Sequence, residues 1–206
     1  MENSLFTLEE EELCIAGADE AGRGPLAGPV TAACVILPPD FPFSILGDSK
    51  KLSEKKRIEA EKIIKEKAIA WAVSSVSHLI IDKINILNAS MSAMALAYSK
   101  VSVKKKADIL LVDGNRSPEV PVPCRAVVKG DSKINEIMAA SILAKNYRDR
   151  LMLIADRRWP QYGYARHKGY PTKEHLSMIK LYGPSPIQRL SFSAGLDSEE
   201  NEPELF

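Results

Sequence analysis

Apolar residues fall along this chain in short continuous runs separated by helical stripes. Cys14-Ile15-Ala16-Gly17-Ala18 is a short apolar run that predicts a buried strand. Val30 to Leu37, small and β-branched, predicts a second strand, and the proline-rich stretch Leu37-Pro38-Pro39-Asp40-Phe41-Pro42 ends it. Ser53 is placed to cap a helix from Glu54 to about Lys67, with Ala60, Ile63, Ile64 and Ala68 as its apolar stripe. Ala68 to Ser77 alternates loosely around Trp71 and predicts a third strand. The short link between the first two strands suggests an antiparallel meander at the start of a mixed sheet.

Asp82 to Leu87 leads into a helix that runs to about Val101, with Leu87, Met91, Met94, Tyr98 and Val101 at helical spacing. The methionines read as core packing. Lys104-Lys105-Lys106 then follows at the end favoured for cations. Asp108 to Asp113 encloses Ile109-Leu110-Leu111-Val112, a buried-strand signal, and a helix between it and the meander suggests parallel pairing. Cys124 to Lys129 predicts another short strand, ended by Gly130-Asp131. Asn135 to about Ala155 reads as a helix whose Ala139, Ala140, Ser141 and Ala144 permit close packing on the sheet. Thr172 is placed to cap a last helix from Lys173 to about Leu181. The pattern is that of an α/β domain.

Composition narrows this little. The 206 residues suffice for one substantial domain, and 45% hydrophobic content suits an ordinary core. No continuous run approaches the ~18 apolar residues of a membrane span. The start, acidic and without a basic stretch, does not read as a signal peptide, and Cys14, Cys34 and Cys124 lack metal-ligand spacing. A cytoplasmic protein without disulfides is expected. The expected division is an acidic segment over 1–12, a catalytic body over 13–156, an extension over 157–195 and a disordered acidic tail over 196–206.

Charge changes the picture more. The formal net charge is +1, but ten of the 27 acidic residues lie in the two terminal segments, which hold no Lys or Arg. The remainder sets 28 basic residues against 17 acidic ones, which makes a polyanionic partner plausible.

The chemistry gathers at strand ends. Asp19-Glu20 follows the first strand and Asp113-Gly114-Asn115 closes the buried one, while Asp131 lies just before a helix. Ligands collect at the carboxyl ends of parallel strands, and clustered carboxylates repel unless a proton or cation intervenes. Oxygen-only clusters suit hard divalent ions such as magnesium or manganese. A lone Asp-Glu is more often a polar strand-to-turn junction. The stretch from Tyr162 to Thr172 is basic and aromatic together. It reads either as a surface for phosphates and sugars or as a polar loop with packed tyrosines.

The ordered motifs change the odds. Asp19-Glu20-Ala21-Gly22-Arg23-Gly24-Pro25, Asp48-Ser49-Lys50-Lys51-Leu52-Ser53, Val112-Asp113-Gly114 and Gly130-Asp131 come in that order. Ala139-Ala140-Ser141-Ile142-Leu143-Ala144-Lys145 with Arg148-Asp149 continues the fourth, and His167-Lys168-Gly169-Tyr170 through His175 follows. From Ile15 to Phe192 the chain resembles the type 2 ribonucleases H, the bacterial ribonuclease HII family. The resemblance implies an RNase H-like mixed five-stranded sheet flanked by helices, with a small helical C-terminal extension. It implies a metal-dependent endonuclease that cleaves RNA in RNA/DNA hybrids. It also implies cutting on the 5′ side of ribonucleotides embedded in duplex DNA, leaving 3′-hydroxyl and 5′-phosphate ends. On that likeness Asp19, Glu20, Asp113 and Asp131 are the catalytic carboxylates and hold Mg²⁺ or Mn²⁺. Gly22, Arg23 and Gly24 read the 2′-hydroxyl and the junction, Lys50 contacts substrate, and Tyr170 stacks on the next sugar.

Two places depart from the family pattern. Ile134, Asn135, Glu136 and Met138 replace a run of serine and alanine, and Gln188 stands where the family tends to have histidine. Ribonuclease HIII shares the core but carries an extra N-terminal domain, for which Asp19 comes too early. A haloacid-dehalogenase-type phosphatase needs an Asp where Ala21 stands, and a duplex-binding module leaves the carboxylates unexplained. The terminal Leu205-Phe206 on its acidic tail resembles the peptides by which repair enzymes hook onto the sliding clamp, or is a terminal pair without a role.

Overall fold

A computed structural model describes residues 13–192 except 48, 50 and 51. Five strands form one sheet: β1 Ile15–Ala21, β2 Val30–Ile36, β3 Ala70–Val76, β4 Ile109–Asp113 and β5 Cys124–Val127, in the spatial order β3-β2-β1-β4-β5. β1, β2 and β3 pair antiparallel, whereas β4 runs parallel to β1 and β5 parallel to β4. The meander and the parallel addition thus form as the pattern predicts.

Helices cover both faces, and β2 shows why. All seven of its residues are buried, so neither face is free for water. Ala32, Cys34 and Ile36 enter the core under α2 (His78–Ser102), while Ala33 and Val35 enter the core under α1 (Glu54–Lys67) and α3 (Asn135–Arg158). α3 lies close against β1 because Gly17 has no side chain. A Cβ there would stand 2.3 Å from the backbone carbon of Glu136. α4 (Tyr164–His167) and α5 (Lys173–Tyr182) follow, and Ser53 and Thr172 cap α1 and α5 as expected.

Several expectations shift. β1 extends through Ala21 because its ladder with β2 continues to the pair Ala21↔Thr31, so Asp19 and Glu20 lie inside the strand. α2 begins at His78, well before the expected start. Asn85 breaks it at φ 66°, and its side-chain oxygen accepts from the Asn88 amide, capping the second segment near the expected start. α2 is also long and apolar enough to cross a membrane by length and composition, yet Ile81, Ala89, Ala93, Met94 and Ala97 are packed in the core. α3 continues to Arg158, beyond the expected Ala155.

The stretch from 162 to 172 resolves its two readings. Tyr162 and Tyr164 are buried with Ala27 and Met152 in a third small core, and His167 stacks on His175 at 4.5 Å. Only Tyr170 of these rings is substantially exposed. The aromatics are mostly packing. Among the described residues all three cysteines are free.

Candidate active site

The parallel register builds the site. Ala18 lies opposite Val112, so the next residue on each strand, Asp19 and Asp113, comes level on neighbouring strands. Ala16, Ala18, Leu110 and Val112 point into the core under α2, so alternation turns Asp19 and Asp113 to the α3 side. Asp131 arrives in a 3-10 turn, Gly130–Ser132, just before α3. Asp113 Oδ1 accepts from the Gly130 amide at 2.7 Å and the Asp131 amide at 3.4 Å, fastening that turn to the end of β4. One oxygen from each of Asp19, Asp113 and Asp131 then lies within 4.8 Å of the other two.

Glu20 stands apart from this trio. It lines a cleft beside the trio, where its Oε1 meets Arg23 Nη1 at 3.4 Å. Of the four carboxylates expected together, the structure gathers three and places the fourth beside them, paired with an arginine.

The electrostatics match crowded, buried acids. Asp19 is only 4% exposed. Burial, then the charges of Glu20 and Asp113, raise its carboxyl well above the ordinary range, against hydrogen bonds from the Ser141 hydroxyl and the Glu20 amide. Burial also raises Glu20, opposed by Arg23. The Ser49 and Ser141 hydroxyls lie 2.8 Å apart. As Ser141 donates to Asp19, Ser49 donates to Ser141. Three convergent carboxylate oxygens, with Asp19 and Asp113 each held by backbone amides, fit a hard divalent cation.

Beside the acids opens a cleft of about 250 Å³ lined by Gly22, Arg23, Gly24, Ser49, Arg148 and Tyr170 among others. Gly22 needs its φ of +95° to turn the chain out of β1. Tyr170 faces Gly24, with the position of a Gly24 Cβ 3.6 Å from the ring. The structure therefore brings Gly22, Arg23, Gly24 and Tyr170 together at one edge of the carboxylates. Lys50, with Asp48 and Lys51 of the same motif, lies outside the described residues.

The family model described as Ribonuclease HII matches residues 16–194. The chain belongs to the ribonuclease HII family. The Dechloromonas aromatica ribonuclease HII is 54% identical over 178 residues, covering 86% of this chain and 90% of that one. The Vibrio vulnificus ribonuclease HII is 52% identical over 179 residues, covering 87% and 86%. Among solved structures, the RNase HII of the Archaeoglobus fulgidus PCNA:RNase HII complex superposes with a TM-score of 0.71 at 25% identity, covering 88% of this chain and 96% of that one. As a ribonuclease HII, the protein is a hydrolytic endonuclease acting on RNA in RNA/DNA hybrids.

Sequence reasoning left some residues of the cleft without a role there. Ser141, Lys145 and Arg148 recur at helical spacing along α3 and line the cleft. Polar residues on an alanine-rich packing face were the available signal. Arg189, behind the cleft edge, had no signal, because a buried arginine looks like any other in sequence.

Proposed function

We propose that this ribonuclease HII hydrolyses the phosphodiester on the 5′ side of a ribonucleotide embedded in duplex DNA. Asp19, Asp113 and Asp131, with Glu20 beside them, are its catalytic carboxylates. The observation that carries the reading is the meeting of those three aspartates at one point, with Glu20, the Gly22-Arg23-Gly24 edge and Tyr170 lining the cleft beside them. The three aspartates hold Mg²⁺ or Mn²⁺, an ion that supplies Lewis-acid chemistry at the scissile phosphate. Burial raises the Asp19 carboxyl and a bound cation favours its charged form, so ion binding and proton release are linked. Ser141, backed by Ser49, keeps the Asp19 carboxylate oriented.

Along the cleft edge, Gly22, Arg23 and Gly24 meet the ribose, whose 2′-hydroxyl is what separates RNA from DNA. Tyr170 offers its ring to the following sugar, and Lys50 belongs to the same surface by its motif. A water oxygen bonds to phosphorus, the bond to O3′ breaks, and O3′ takes a proton. The products are a 3′-hydroxyl on the preceding deoxynucleotide and a 5′-phosphate on the ribonucleotide. In this proposal the body over 13–156 carries the acids and the extension over 157–195 carries Tyr170. Three free cysteines fit a cytoplasmic enzyme.

Clamp binding through Leu205-Phe206, which lies outside the described residues, is a second proposal. It is favoured by the PCNA complex of the Archaeoglobus relative. Deleting residues 202–206 is expected to leave oligonucleotide nicking unchanged while abolishing calorimetric binding to the same organism's clamp. The main reading is tested with a duplex carrying one ribonucleotide, incubated with magnesium or manganese. A single nick on the 5′ side with a ligatable 5′-phosphate is expected. No metal-dependent nick, or a 2′,3′-cyclic phosphate end, would refute the reading.

A further inference from the structure

Behind the cleft edge lie two arginines that the proposed chemistry does not use. Arg148 on α3 is 1% exposed and Arg189, from the segment after α5, is fully buried. Among the described residues neither has a carboxylate partner. Each instead spends its guanidinium on backbone carbonyls. Arg189 donates through Nε to Gly28 O (2.9 Å), through Nη1 to Arg23 O (2.9 Å) and through Nη2 to Gly22 O (2.6 Å). Arg148 donates through Nε to Pro29 O (3.0 Å) and through Nη2 to Ala27 O (3.2 Å) and Lys168 O (3.1 Å).

The direction of these bonds has a consequence on the other side of the loop. A trans peptide points its C=O and N–H opposite ways. With the carbonyls of Gly22 and Arg23 turned inward onto Arg189, the amides of Arg23 and Gly24 turn outward, at residues that are exposed beside the cleft. Among the described residues neither amide has an internal acceptor. Arg148 ties the opposite wall to the same loop: Lys168 precedes Tyr170 by two residues, Gly169 O accepts from the Leu26 amide at 2.8 Å, and the Tyr170 ring lies over the Arg148 guanidinium at 6.0 Å.

We infer that Arg148 and Arg189 are positioning residues for recognition of the ribose, holding the Arg23 and Gly24 amides outward and Tyr170 at its distance from them. Both guanidiniums are costly to bury, and burial with mutual repulsion pushes Arg189 down to about 9, still charged at neutral pH. A planar fork with fixed donor directions sets several carbonyls at once, which an ammonium on a flexible stem does not. Gly22 is part of the same device. A Cβ there would lie 2.0 Å from Arg148 Nε, so the glycine gives the guanidinium its seat.

The inference rests on the proposed reading of the ribose by this edge, and the test separates the two. Binding of a duplex with one ribonucleotide and of the same all-DNA duplex is measured by anisotropy in calcium buffer, under conditions where no cleavage is seen. The proteins are wild type, Arg148→Lys and Arg189→Lys, each with its melting temperature. Wild type is expected to prefer the ribonucleotide duplex. In either lysine variant that preference should fall about tenfold, as for one or two lost hydrogen bonds, while all-DNA affinity changes little because the charge remains. A purely structural role lowers both affinities together, so a folded lysine variant with the wild-type preference overturns the inference alone. A wild type without preference overturns both the inference and the reading beneath it. Should the lysine variants not fold, a structure of the wild-type protein with the ribonucleotide duplex decides. An Arg23 or Gly24 amide on the 2′-oxygen, with both guanidiniums still on the loop carbonyls, supports the inference; a guanidinium moved to a phosphate overturns it.

Discussion

One methyl group separates the two glycines that flank Arg23. On Gly22, at φ +95°, a Cβ would meet Arg148 at 2.0 Å and Pro29 O at 2.9 Å, so it points into the protein. On Gly24 it would meet only the Tyr170 ring, at an ordinary 3.6 Å. Gly22→Ala should therefore lose about 1–3 kcal/mol of stability through overpacking and strain. Gly24→Ala should keep its melting temperature yet lose at least about tenfold in kcat/KM on a single-ribonucleotide duplex, by displacing the ribose. A Gly24→Ala protein with wild-type kinetics would remove this edge from substrate recognition. Asp19 carries a pH signature. Its folded carboxyl is raised above the ordinary aspartate value of 3.8, so across the interval above that value the folded protein holds a proton that the unfolded chain has released. The stability of the metal-free protein then falls as pH rises through that window, and saturating metal opposes the fall. Urea unfolding in EDTA between pH 4 and 7 should show this slope in wild type and a shallower one in Asp19→Asn. Identical slopes would mean that Asp19 titrates like an exposed acid.

At the scale of elements, the site depends on how closely α3 lies on β1. Gly17→Ala would place a Cβ 2.3 Å from the Glu136 backbone and 2.4 Å from the Ile137 amide nitrogen, where no flexible side chain can yield. α3 must then retreat, carrying Ser141 and the Asp131 turn with it. Expected are a stability loss of about 1–3 kcal/mol and weaker manganese binding by calorimetry. Unchanged metal affinity would show that the trio does not depend on this contact. The same elements show what was legible beforehand. α1 and α5 were readable with their caps because Ser53 and Thr172 act within one turn of chain. The parallel β1–β4 pairing followed from the intervening helix, and it placed Asp19 and Asp113 together. The extension of β1 through Ala21 was not readable, since it depends on β2, and neither was the pairing of Glu20 with Arg23 beside the trio. Buried and exposed rings look alike in sequence, so Tyr162 and Tyr164 could not be told from Tyr170 before the third core was seen.

Across the whole molecule, two helical layers bury a central sheet, and the segments after α3 reach back to the end of β1 through Arg189 and the Tyr170 turn. Asp82 pins the last described segment, accepting from the Leu190 and Ser191 amides at 3.0 Å each. In the proposed function the acids come from the sheet and from the turn before α3, while Tyr170 of the cleft edge comes from the C-terminal segments, so that activity depends on both staying in register. The excess of basic over acidic residues outside the terminal segments suits a duplex lying across that junction. The claim on which everything else rests is that the three gathered aspartates perform the hydrolysis, and Asp113→Asn tests it most directly. Asparagine keeps the Oδ1 that accepts from Gly130 and Asp131, so the turn and the fold should survive, while one charge of the trio is lost. In a nicking assay on a single-ribonucleotide duplex with magnesium, the variant should bind at least as well as wild type, melt close to it and leave the duplex uncut. Wild-type-like nicking by folded Asp113→Asn would contradict the account.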